Sequence, residues 1–208
     1  MKNKIISRVL TALVVIASAI VWQSCKPKAP ATVSMGDAAS KAFVPPGKYD
    51  EFYNVVSGGF NGQMSIYGLP SGRLFRIIPV FSQFPENGYG YSEETIPMLN
   101  TSHGFVPWDD LHHIALSTTS GQHDGRWAFA NANNTPRVAR VDMKTFKTVE
   151  ILELPHSGGN HSSPFITENT EYVVAGTRFS VPVGDKTDVP ISSFKENFKG
   201  YISFISVD

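Results

Sequence analysis

From residue 49 onward no stretch of this chain carries apolar residues at helical spacing. Short alternating or β-branched runs recur instead, at 64–67, 74–80, 127–130, 138–142, 148–154, 172–175 and 201–207, parted by clusters of Gly, Pro, Asn and Asp. Runs of period two bounded by turn formers are strands. In Thr148-Val149-Glu150-Ile151-Leu152-Glu153-Leu154 the apolar and polar residues mostly alternate, which predicts one buried and one wetter face. The fold class is therefore all-β.

A weak internal period sharpens the class. Gly125-Arg126-Trp127-Ala128-Phe129-Ala130 can be laid over Thr170-Glu171-Tyr172-Val173-Val174-Ala175 at an offset of 45 residues. Several short strands per repeat at that spacing mark the blades of a β-propeller, each of which buries its faces against its neighbours. One unit is legible in full: a strand at 127–130, a turn at 131–135, a strand at 137–142, a turn at 143–147 and a strand at 148–154. About 160 folded residues at this spacing make about three to four blades, at or below the minimum for a closed ring. The expected architecture is a partial β-propeller. Residues 81–103, centred on Pro85-Glu86-Asn87-Gly88-Tyr89-Gly90-Tyr91, read as a long loop whose aromatic residues serve a function or pin it to the core.

The N-terminus reads as an address. Residues 1–24 combine a basic head (Lys2, Lys4, Arg8) with an uncharged apolar run at 9–22, the pattern of a secretory signal. That run is shorter than the roughly 20 residues a membrane-spanning helix needs. Ser24 precedes Cys25, the only cysteine, where a lipoprotein signal would be cut and the cysteine acylated, although Trp22 stands where an aliphatic residue is usual. Cleavage after Ala17-Ser18-Ala19 is the competing reading; both export the mature protein to the periplasm, and acylation at Cys25 would add a membrane anchor. Residues 25–48, rich in Lys, Pro, Ala, Ser and Gly, form the expected flexible linker, and 49–208 the folded part.

Composition removes several function classes. The chain has 18 basic and 18 acidic residues, and losing the signal leaves the mature chain mildly acidic, with no footprint for binding nucleic acid. A single cysteine excludes an intrachain disulfide framework, a Cys-rich zinc site and a dithiol redox motif. The common signatures of serine hydrolases, zinc proteases and nucleotide-binding loops are missing.

What remains is histidine. Of the six, His112 and His113 follow Asp109 and Asp110 directly, and His161 follows Gly158-Gly159-Asn160. Adjacent histidines on a regular strand point to opposite faces, so they converge only at a bend, a bulge or a strand end, or on a cluster large enough to be reached twice. The aspartates supply the carboxylate that fixes an imidazole tautomer. Imidazole ligands without thiolate suit copper, zinc, iron or nickel. On spacing alone, surface histidines beside an acidic turn are the commoner arrangement. His103, His123 and His156 carry no expected role beyond solvent contact.

The run Asp109-Asp110-Leu111-His112-His113, followed by Asp124-Gly125-Arg126-Trp127-Ala128-Phe129-Ala130-Asn131 and Asn134-Thr135-Pro136-Arg137-Val138-Ala139-Arg140-Val141-Asp142, resembles the N-terminal part of nitrous-oxide reductase, in particular its Sec-exported, atypical branch. Ser57-Gly58-Gly59-Phe60, Gly104-Phe105-Val106-Pro107-Trp108, Gly159-Asn160-His161 and Thr177-Arg178-Phe179-Ser180-Val181-Pro182 agree in the same order. The resemblance implies a seven-bladed propeller around a four-copper, sulfide-bridged cluster, with His112, His113 and His161 among seven histidine ligands, Asp110 as the carboxylate behind them and Asp109 as a weaker candidate for that role. It further implies reduction of N2O to N2 and water in denitrification, a homodimer, a periplasmic electron donor such as a c-type cytochrome, a dinuclear copper site in a C-terminal domain and room for calcium in the full-length protein. Three of seven ligands and no late cysteine pair read as the N-terminal blades of such an enzyme, truncated and inactive alone. Two other readings stay open on the residues: an exported propeller-like lipoprotein that serves as a binding module, and a mononuclear His-ligated metal-binding protein.

Overall fold

The computed structural model describes residues 37–161, 164–183 and 189–207. The signal segment and Cys25 lie outside the described residues. A short helix, Ala38–Ala42, comes first among the described residues. The compact body that begins at Ala42 is built from antiparallel strands, and among the described residues no helix is long and apolar enough to cross a membrane.

The first sheet is a meander of β1 (Phe52–Ser57), β2 (Gln63–Leu69) and β3 (Leu74–Pro79). Residues 81–103 follow, holding two 3-10 turns, Pro85–Asn87 and Ile96–Leu99, before the small hairpin of β4 (Asn100–Thr101) and β5 (Gly104–Phe105). Tyr89 is buried there and its hydroxyl donates to the Val80 carbonyl at 2.8 Å, so this aromatic residue pins the loop to the core, while Tyr91 is exposed. The second sheet is the four-stranded meander of β6 (Leu111–Thr119), β7 (Gln122–Ala132), β8 (Arg137–Asp142) and β9 (Lys147–Glu153). The third pairs β10 (Phe165–Ile166) with β11 (Tyr172–Gly176); the hairpin of β12 (Val181–Pro182) and β13 (Phe198–Lys199) intervenes before β14 (Ile202–Ser206) joins β11 on its other side.

Alternation along the second sheet explains why sheets stack on both of its faces. Ala128, Ala130 and Ala132 of β7 and Ala139 and Val141 of β8 face the first sheet, where they pack with Met64, Ile66, Ile78, Val80 and Phe81. The residues between them, Trp127, Phe129 and Val138, pack against Val173, Ala175, Ile166 and Ile205 of the third sheet. Alanine on one face lets the first sheet approach closely, and aromatic bulk on the other fills the wider gap. The 45-residue offset in the sequence superposes β7 on β11, the second strand of each sheet. The structure is thus all-β and propeller-like.

All seven runs read from the sequence are strands. The sequence reading missed β1 and, more consequentially, β6. Its ladder with β7 shifts register at His112/Ile114 and again at Leu116/Thr118. Two bulges in nine residues break the period of two, so Leu111, Ile114 and Leu116 never show a strand pattern.

Candidate metal centre

The site starts with a turn in the first sheet. Gly62 has φ +67°, and a Cβ on it would lie 2.5 Å from the Phe81 carbonyl oxygen and 2.8 Å from that of Asp109, so only glycine fits. The Gly62 carbonyl accepts from the Val80 and Phe81 N–H groups. Phe81 in turn accepts from the Asp109 N–H at 2.8 Å, and Gly59 accepts from the Leu111 N–H at 2.9 Å. The segment ahead of the histidines is thereby stitched to the first sheet.

Asp109 is spent on this architecture. Its Oδ1 accepts from the N–H groups of Asp110 and Asn134 and from Asn134 Nδ2; its Oδ2 accepts from the N–H and hydroxyl of Thr135. The guanidinium of Arg137 lies 3.5 Å away, with both side chains almost fully buried. Burial pulls the Arg137 pKa down and the Asp109 charge opposes that shift. Arg137 also donates to Thr135 Oγ1 at 2.6 Å and lies over the Phe81 ring.

Asp110 faces the histidines. Its Oδ2 lies 2.8 Å from His112 Nε2 and accepts from Asn133 Nδ2 at 3.1 Å. A carboxylate only accepts, so His112 carries its proton on Nε2, which leaves Nδ1 as the free ligand atom of the neutral ring.

The bulge then does what a regular strand cannot. His112 pairs with Asn131 and Ile114 with Ala130, so His113 is the extra residue, and the two rings, which a pleated strand would send to opposite faces, stay 5.8 Å apart. His161 arrives from the connection between the second and third sheets. Gly158 donates to the Phe179 carbonyl at 2.8 Å, and Gly159 lies so close to the Phe179 ring that a Cβ would fall 2.9 Å from Cδ2. Asn131, opposite His112 in the ladder and fully buried, donates through Nδ2 to the Asn160 carbonyl at 2.6 Å. One side chain therefore joins the two arms.

The outcome is a trio. The ring of His161 lies 4.4 Å from that of His112 and 5.0 Å from that of His113, and the candidate ligand atoms of the three all fall within 4.8 Å of one another. Loss of solvation, with the neighbouring His112, Arg178 and His113 charges, lowers the His161 pKa, so its lone pair is available at neutral pH. Three imidazoles, one backed by a carboxylate, make a donor set that suits copper, as it would zinc, iron or nickel.

The remaining histidines stand elsewhere. His103 is in the turn between β4 and β5, His123 lies on β7 beside an apolar cavity of about 320 Å³ with Tyr53, Phe75, Trp127 and Phe146, and the His156 ring lies 5.1 Å from that of Tyr201. Sequence reasoning missed Asn131, Asn133 and Arg137 as supports of the site, because an Asn-rich stretch before a proline signals only a turn.

No protein-family model matches the chain. It is similar to the curated nitrous-oxide reductase of Pseudomonas fluorescens at 35% identity over 147 residues, which is 70% of this chain and 23% of that protein. The nitrous-oxide reductase of Stutzerimonas stutzeri matches at 31% over 147 residues (70% and 23%), and that of Cupriavidus necator at 32% over 180 residues (76% and 28%). The chain is a relative of the nitrous-oxide reductases. It spans about a quarter of the length of the nitrous-oxide reductases it matches. Among solved structures, Kuenenia stuttgartiensis Hydrazine Synthase aligns with 75% of this chain and 36% of its own at a TM-score of 0.43 and 15% identity, too distant to bear on function.

Proposed function

We propose that this chain supplies the first blades and three copper ligands of an exported nitrous-oxide reductase, with His112, His113 and His161 holding part of a four-copper, sulfide-bridged cluster. The observation that carries this reading is the convergence of the three histidines from two separate segments, with Asp110 behind His112. The outer face of the third sheet, with Phe165, Tyr172, Ile202 and Phe204 exposed, supports a place for this chain inside a larger propeller.

The reaction in this reading takes N2O, two protons and two electrons to N2 and water. Held by His112, His113, His161 and further ligands, a copper–sulfide cluster would pass on the electrons and supply the back-donation that a poor ligand such as N2O requires. The chain's own residues supply placement. Asp110 holds the His112 proton at Nε2, the bulge directs His113 beside it, and the lowered pKa of His161 keeps that imidazole unprotonated. The same reading places the mature protein in the periplasm, with Cys25 as the acylation site, and assigns the dinuclear copper site to a further domain, electron delivery to a c-type cytochrome and assembly to a homodimer. His112→Ala or His161→Ala in the full protein abolishes copper-dependent N2O reduction; full activity in either variant overturns the ligand assignment.

A further inference from the structure

We infer that Asn133 and Arg178 are positioning residues for this centre: they clamp Asp110 against His112 and tie the clamp to the loop that carries His161. This rests on the copper-ligand reading and adds what sets the geometry of two of its ligands.

Asn133 grips Asp110 twice. Its N–H donates to the Asp110 carbonyl at 2.8 Å and its Nδ2 to Asp110 Oδ2 at 3.1 Å, while its Oδ1 accepts from a guanidinium nitrogen of Arg178. Arg178 also reaches the other arm, since its N–H donates to the Gly159 carbonyl at 2.8 Å and its guanidinium lies 4.6 Å from the centroid of the Phe179 ring that packs on Gly159.

The direction of every bond in this chain is forced. Arginine only donates, so the Asn133 carbonyl must face Arg178 and its amide nitrogen must face Asp110. A carboxylate only accepts, so Asp110 draws the His112 proton to Nε2. Asp110 is 2% exposed, and among the described residues its Oδ1 has no hydrogen-bond partner, so His112 and Asn133 supply the side-chain donors to this buried carboxylate, both at Oδ2. Removing Asn133 leaves His112 as the remaining side-chain donor and releases the carboxylate to turn. Arg178 acts one bond further out, through the orientation of the Asn133 amide.

The experiment uses the full chain with 15N-labelled histidine. In the metal-free wild type, the nitrogen shifts of His112 report the proton on Nε2. In Asn133→Leu and Arg178→Ala the ring becomes a mixture of tautomers and copper affinity at the centre falls about 10- to 100-fold, as substitution of such outer partners does elsewhere. Arg178→Lys restores a donor and recovers part of both. Should Asn133→Leu fail to fold, the exposed Arg178 carries the same readout. Tautomer and affinity unchanged in Arg178→Ala and in folded Asn133→Leu overturn the inference. A wild type that binds no copper, yet whose His112 tautomer moves in the variants, supports the clamp and overturns the copper reading instead.

Discussion

The two arms of the site reach the same point by different physics. His112 and His113 stand on a segment stitched to the first sheet and underpinned by the buried Asp109–Arg137 pair, so their position is fixed by packing and burial. His161 stands on a glycine-containing connection held by backbone hydrogen bonds and a ring contact to 178–179, in the segment between β11 and β12. The first arm is part of the core, and the second is docked onto it. A centre assembled from both is only as well defined as the docking, which is why Asn131 and the Asn133–Arg178 pair, bridging the arms, matter beyond their size.

Substitutions separate the arms. Asp109→Ala should have the largest effect, because it strands Arg137 as a buried charge and releases the donors of Asn134 and Thr135; breaking a buried pair from one side costs about 3–5 kcal/mol. Urea unfolding of the full chain measures it, and a loss under about 1 kcal/mol, the scale of an exposed pair, denies the first arm its core character. Gly159→Ala should come next. Its Cβ would meet the Phe179 ring at 2.9 Å and the Asn133 carbonyl oxygen at 3.1 Å, overpacking that costs about 1–3 kcal/mol. It should displace His161 and spare His112 and His113, so histidine NMR shifts that move only at His161 are the expected result.

The smallest effect concerns the turn beyond His161. Hydrogen bonds from Thr167 and Asn169 lower the Glu171 pKa to about 2. A depressed carboxylate adds stability that is complete above its unfolded pKa of 4.5 and is lost as pH falls toward 2. Glu171→Gln should therefore flatten the acid limb of stability between those values by removing the small contribution present above them, and leave stability near pH 2 nearly unchanged; an unaltered acid limb would show that Glu171 adds nothing.

The same contrast marks what the sequence could reveal. Regular strands were legible where one face is buried and the period of two survives, as in β2. The bulged β6 was not, since irregularity is what lets two adjacent histidines converge there. The sequence reading picked out the trio by resemblance and by the motif that joins two aspartates to two histidines. Asp109, a weaker candidate for the carboxylate behind the ligands, proves to be committed to Asn134, Thr135 and Arg137. Asn133 and Arg178 were invisible as partners because 45 residues separate them and only the stacking of the second and third sheets brings them together.

In the proposed function His112, His113 and His161 share one copper–sulfide centre. Acid-labile sulfide and copper, measured together in the full protein and in its His161→Ala variant, test it most directly. Both are expected in the wild type, with loss of sulfide in the variant. Wild-type protein without sulfide, or a variant that keeps it in full, would contradict the claim.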